Sequence, residues 1–109
     1  MPPPTDRLER AQSALSAAVD AGAKTWAPLE LGFAQDKLDQ ARAAVDTRHN
    51  ALAADLADES LANSELARIK AQLGQVRESN KKAQDENTRL RQQLLAPAAA
   101  PTSPTGDLP

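Results

Sequence analysis

The chain has no cysteine and no tyrosine, and only one phenylalanine, one tryptophan and one histidine among 109 residues. Without cysteine there can be no disulfide, no thiol nucleophile and no thiolate metal ligand. His49 has no second imidazole with which to hold a metal. It reads as a solvated turn residue, with Asp46 close enough in sequence to accept a hydrogen bond from it. The acidic cluster Asp55, Asp58 and Glu59 lies on one helical stretch and lacks the looped oxygen cage that Ca²⁺ requires. With four glycines in all, the phosphate-cradling loop, the dinucleotide turn and the nucleophile elbow are missing. No apolar run approaches the roughly 20 residues that cross a bilayer, and no stretch has the pattern of a secretory leader. The expectation is a non-enzymatic protein with no catalytic residues, no cofactor and no metal.

What the chain does hold is alanine, 23 residues, and leucine, 14 residues. Both are strong helix formers, so propensity points to an all-α protein. Alanine buries little apolar area, whereas a leucine contributes roughly 1.5–3 kcal/mol when fully buried. Stability must then come from closely approaching helices, with self-association adding burial. Charge is uneven about the net −2. Residues 5–65 carry six Lys/Arg against eleven Asp/Glu, and residues 66–95 carry seven against three. A basic segment of this kind suits an anionic partner, or serves as the solvated face of a coiled coil.

The order of elements follows from caps and periodicity. Met1-Pro2-Pro3-Pro4 predicts an extended tether over 1–4. Thr5 is placed as an N-cap with Asp6 behind it, opening a helix to about Ala21 with the stripe Leu8, Ala11, Leu15, Ala18 and Val19. Gly22 is its stop. Pro28 suits the first position of a second helix. Trp26 lies just before that start, and Leu31 is its expected staple partner. Gly22, Trp26, Pro28 and Leu31 together form the expected structural turn. The second helix carries Leu31, Ala34, Leu38, Ala41 and Val45.

At Asp46–Asn50 two arrangements compete. The chain either turns into a helical hairpin or continues as one helix from Pro28 to Leu95, roughly 100 Å long at 1.5 Å per residue. The charges Arg48, Asp55 and Glu59 on a would-be seam favour the turn. The apolar face shifts there to Ala53, Leu56, Ala57 and Leu61. The expected architecture is a short N-terminal helix plus a helical hairpin whose last long helix extends as a coiled coil. Its parts are an Ala-rich head over 5–65, a coiled-coil stalk over 66–95, and a Pro/Ala/Ser/Thr-rich tail or linker over 96–109.

The stalk is assigned from a strict three-four spacing: Leu66, Ile69, Leu73, Val76, Asn80, Ala83, Asn87, Leu90 and Leu94. Such a seam is buried only against another helix. With Leu66 at position a, Asn80 and Asn87 also fall at a, where paired asparagines favour a parallel dimer. Glu65 and Glu86 at g face Lys70 and Arg91 at e of a second copy, which supports the same register. Leucine at a with β-branched residues at d leans toward higher oligomers instead. The alternative is that this helix packs only on the chain's own first two helices. A homo-oligomer, with the dimer favoured, is the expected state. Lys81, Lys82, Arg89 and Arg91 lack interleaved aromatics, so nucleic acid is not the expected partner.

The run Ala21-Gly22-Ala23-Lys24-Thr25-Trp26-Ala27-Pro28-Leu29-Glu30-Leu31 is followed by Ala34, Lys37-Leu38, Ala41 and Ala44. It resembles the bacterial family catalogued as domain of unknown function 4398. The likeness continues into the Ala-rich stretch from Leu56 to Ala67 and covers about residues 8–70. The resemblance implies an envelope lipoprotein of Gram-negative bacteria, periplasm-facing and held to the outer membrane by a lipidated N-terminal Cys. Met1 would then stand where that processed Cys was. Some members carry an OmpA-like, peptidoglycan-binding domain after the helices, and the proline-rich tail would be the linker to it. An envelope protein or peptidoglycan is then a possible partner. A start at Met1 would instead place the protein in the cytoplasm. The functional expectation is a spacer or scaffold that self-associates. The competing one is an adaptor gripping an anionic polymer (peptidoglycan, lipopolysaccharide or nucleic acid) through its basic C-terminal helix.

Overall fold

The computed structural model describes residues 1–99, with side chains through Leu95. It is all-α: α1 Thr5–Asp20, α2 Ala23–Trp26, α3 Pro28–Asp46 and α4 Asn50–Ala99. A packed unit spans Met1–Gln75, and a second unit begins at Val76.

The helix boundaries follow local chemistry. Thr5 does not cap α1. Pro4 is the N-cap, and its carbonyl accepts from the Leu8 N–H at 3.0 Å, so Thr5 is already helical. Gly22 ends α1 at φ 92°, a left-handed conformation that glycine adopts without steric penalty. The Gly22 carbonyl then accepts from Trp26 N–H at 3.1 Å, which starts the single turn α2. Ala27, at φ −147° and ψ 54°, is kept out of the helical region because a proline follows it. Pro28 opens α3 as expected. The chain turns at Thr47–His49, and the single long helix from Pro28 is not what forms. Arg48 takes φ 64° at this turn. Arg48 N–H reaches Val45 O at 2.9 Å and His49 N–H reaches Ala44 O at 2.7 Å, satisfying the last carbonyls of α3. Thr47 Oγ1 meets His49 Nδ1 at 2.8 Å, so the imidazole pairs with a hydroxyl in an exposed turn. α4 extends to Ala99, past the expected end at Leu95. The remainder of the expected tail, 100–109, lies outside the described residues.

Contacts give the topology of the first unit. Lys37 pairs with Glu59 at 3.0 Å and Glu30 pairs with Lys70, so α3 and α4 run antiparallel. Arg7 meets Asp58 at 3.3 Å and Gln75 Nε2 donates to Ala21 O at 2.6 Å, so α1 lies alongside α4 in the same direction. Its other neighbour is α3, reached by Arg42 to Gln12. The core is built from Ala11 and Leu15 of α1, Ala34, Leu38 and Ala41 of α3, and Ala53, Leu56 and Ala57 of α4. A second cluster joins Ala18, Ala23 and Ala27 to Ala67 and Ala71.

On α4 the inward residues are Ala53, Ala57, Ser60, Ser64, Ala67 and Ala71, with Gly74 extending the same three-four spacing. Side chains this small let helix backbones come close. Ser60 Oγ accordingly donates to the Ala34 carbonyl of α3 at 2.7 Å, both groups being buried. Ser64 Oγ is buried without a hydrogen-bond partner among the described residues. The two serines should therefore respond oppositely to alanine. Ser60→Ala is expected to lose about 1 kcal/mol, whereas Ser64→Ala is expected to be neutral or to gain up to about 1 kcal/mol, because it removes an unpaired buried hydroxyl. Chemical denaturation of the two variants side by side checks this, and equal losses would contradict it.

Candidate association surface

α4 carries two stripes in register. Residues are spaced 100° apart around a helix, so the seam Leu66, Ile69, Leu73 is centred about 140° from the buried Ala67, Ala71, Gly74 stripe. The structure buries the small stripe and leaves the large one outside. Leu66, Ile69 and Leu73 are 44–54% exposed in the first unit. In the second unit every side chain from Val76 to Leu95 is exposed, including Val76, Asn80, Ala83, Asn87, Leu90 and Leu94. Within the first unit, Leu66, Ile69 and Leu73 are thus left half-exposed. The physical reason is competition: once the Ala/Ser/Gly stripe fits α1 and α3 at short range, the opposite face of this stretch turns outward.

Two of the residues expected to shape the turn, Gly22 and Trp26, lie against the Gly74–Gln75 stretch of α4. Gly22 needs its glycine for its positive φ; a Cβ there would also lie 2.8 Å from Gln75 Nε2, the movable end of a flexible side chain. Trp26 lies flat against Gly74 of α4, where a Cβ would come within 2.4 Å of the indole Cε3. Pro28 is exposed at the start of α3, and Leu31 packs against both core clusters. Two residues went unnoticed in the sequence, Leu29 and Phe33, both large, apolar and exposed on α3. The available signal was that neither belongs to the Leu31, Ala34, Leu38 stripe, although both are too apolar for a solvated face. A groove of about 580 Å³ between α1 and α3 is lined mainly by Leu15, Val19, Pro28, Leu31 and Gly32, with Asp20 and Lys24 also on its wall.

Among the described residues no cluster of three or more His, Asp or Glu could hold a metal ion, and no helix is long and apolar enough to cross a membrane. One carboxylate is distinctly perturbed. The Lys70 ammonium bonded to Glu30, helped by the Glu30 backbone N–H in the first turn of α3, holds this carboxyl below the usual carboxylate value, against a smaller opposing push from burial. A depressed folded-state value means that the pair stabilises the fold above the ordinary carboxylate range, and that this contribution is lost as pH falls through the folded value. Wild type should therefore lose thermal stability on acidification more steeply than Glu30→Gln. If the two melting curves shift in parallel with pH, the pair has no such role.

No curated protein and no solved structure matches the chain. The family model described as domain of unknown function (DUF4398) matches residues 6–90, which takes in α1 to α3 and most of α4. The chain, with its Gly22–Trp26–Pro28 turn locked onto α4, is a member of the DUF4398 family.

Proposed function

We propose that this chain is a non-enzymatic association module of the bacterial cell envelope, a spacer or scaffold that self-associates through the α4 seam. The observation that carries this is the division of α4 into two stripes. The small one satisfies the fold, so the Leu/Ile/Val one serves a partner. Burying a row of half-exposed Leu, Ile and Val side chains is worth roughly 25 cal/mol per Å² of apolar surface removed from water. Asn80 and Asn87 favour two parallel strands. The envelope location, with a lipidated N-terminal Cys as anchor, follows the family resemblance.

Sedimentation equilibrium tests the reading. Wild type should be dimeric in the micromolar range, and Leu73→Glu with Val76→Glu should convert it to a monomer that keeps its helical circular dichroism. A wild type that remains monomeric at high micromolar concentration would refute self-association. The second reading, an adaptor for an anionic polymer, is favoured by the exposed Arg77, Lys81 and Arg91. Salt separates the two: polymer binding falls steeply between low and physiological ionic strength, while an apolar seam barely responds.

A further inference from the structure

The ion pairs Glu30–Lys70 and Lys37–Glu59 tie one ridge of α3 to one ridge of α4. Phe33 lies between Glu30 and Lys37 on the first ridge, and Leu66 lies between Glu59 and Lys70 on the second. The two apolar side chains therefore share one edge of the hairpin, bracketed by neutralised charges. Leu29 stands one turn before Phe33, and Ile69 and Leu73 follow Leu66. α1 lies on the other side of Phe33 and Leu66, although Asp58, about 20° from Ile69 around α4, also reaches it through Arg7. Arg42, which reaches α1, is nine residues from Phe33, and Gln75, which reaches the end of α1, is nine residues from Leu66. Nine residues is half a turn out of phase. Phe33 is 48% and Leu29 63% exposed, and Trp26 at the end of the same hairpin is 38% exposed, so neither of the chain's two aromatic residues is enclosed by the fold.

We propose that this α3/α4 face is the seat of the same face of a second copy, so that association builds a four-helix bundle in which Phe33 is an anchor. This rests on the self-association proposed above and adds α3 to the interface. Two observations favour a second copy over another occupant. The exposed apolar side chains offer on the order of 500 Å² per copy. With a polar rim, two such faces reach the size of a standard interface, roughly 1,200–2,000 Å² in total. Finally, the charges that flank Phe33 and Leu66 are already paired within each copy, so two copies meet without like-charge repulsion.

The full chain at graded concentrations provides the test, with sedimentation read alongside the emission of the single Trp26. Phe33→Glu should weaken the dimer about thirtyfold or more, and Phe33→Ala should weaken it less. Both should keep the wild-type helical signal, because the side chain is not in the core. Trp26 emission should shift to the red on dilution through the dissociation constant. A wild-type dimer that Phe33→Glu and Phe33→Ala leave unchanged, while Leu73→Glu with Val76→Glu dissolves it, would overturn the α3 contribution and leave seam association standing. A monomeric wild type would overturn both.

Discussion

Leu38→Ala is expected to remove about 2–5 kcal/mol of stability, in the upper part of that range, because the cavity it leaves has little around it able to collapse. Leu38 is the largest hydrophobic side chain that the fold encloses completely. Its cluster is mostly alanine: Ala11, Ala34, Ala41, Ala44, Ala53 and Ala57, with Leu15 and Leu56 buried in it and Leu8, Leu31 and Val45 partly buried against it. An alanine has no side-chain torsion with which to refill a void, and its backbone is held by a helix ladder. Domains of this size hold about 5–15 kcal/mol in total, so the loss is a large fraction of the whole. Urea unfolding followed at 222 nm should show a lower midpoint with an unchanged slope. A loss under about 1 kcal/mol would mean that α1, α3 and α4 do not close around this residue.

Gly74→Ala should reverse sign with its background. In a helix interior alanine is favoured over glycine by about 1 kcal/mol. Here the added Cβ would meet the Trp26 ring at 2.4 Å from Cε3 and 2.7 Å from Cδ2, distances that demand displacement of a rigid bicycle. Overpacking of this kind typically takes about 1–3 kcal/mol. The net expectation in the wild-type background is therefore a loss of up to about 2 kcal/mol. With Trp26→Ala already present the clash is gone, and Gly74→Ala should stabilise by about 0.5–1 kcal/mol. The double-mutant cycle measures the coupling directly. Trp26 supplies a second readout, since the chain has no other tryptophan: a ring pushed off Gly74 should emit further to the red. Additive effects of the two substitutions would show that the indole does not lie on this glycine.

How much of this was legible from the residues depends on the element. The stop of α1 and the start of α3 were, because Gly22 and Pro28 act through local steric rules that need no tertiary partner, whereas the single turn α2 between them was not expected. Thr5 was misplaced by one position for the same kind of reason in reverse. A capping side chain was expected, but the carbonyl of Pro4 begins the ladder without one. The turn at Thr47–His49 was favoured over continuation through charges on the would-be seam. Its geometry, a non-glycine residue at positive φ, left no mark in the sequence. On α4 the hydrophobic period drew attention to Leu66, Ile69 and Leu73, while of the equally regular Ala53-to-Gly74 stripe only Ala53 and Ala57 stood out, because alanine, serine and glycine carry little apolar area. Lys70 shows the same limit: a heptad assignment sends it to a second copy, whereas the hairpin brings Glu30 to it first.

The residues alone determined that this chain is helical, where it turns, and that one of its helices carries a three-four repeat of Leu, Ile and Val interrupted by Asn80, Ala83 and Asn87. Tertiary structure decided which face of that helix goes inside. Close approach of α1 and α3 favours Ala, Ser and Gly on the inward face of α4, with Leu56 a large exception, and the Ser60 hydroxyl can then reach a carbonyl of the neighbouring helix. The larger side chains are turned outward together with Leu29 and Phe33 by that steric choice, not by their hydrophobicity.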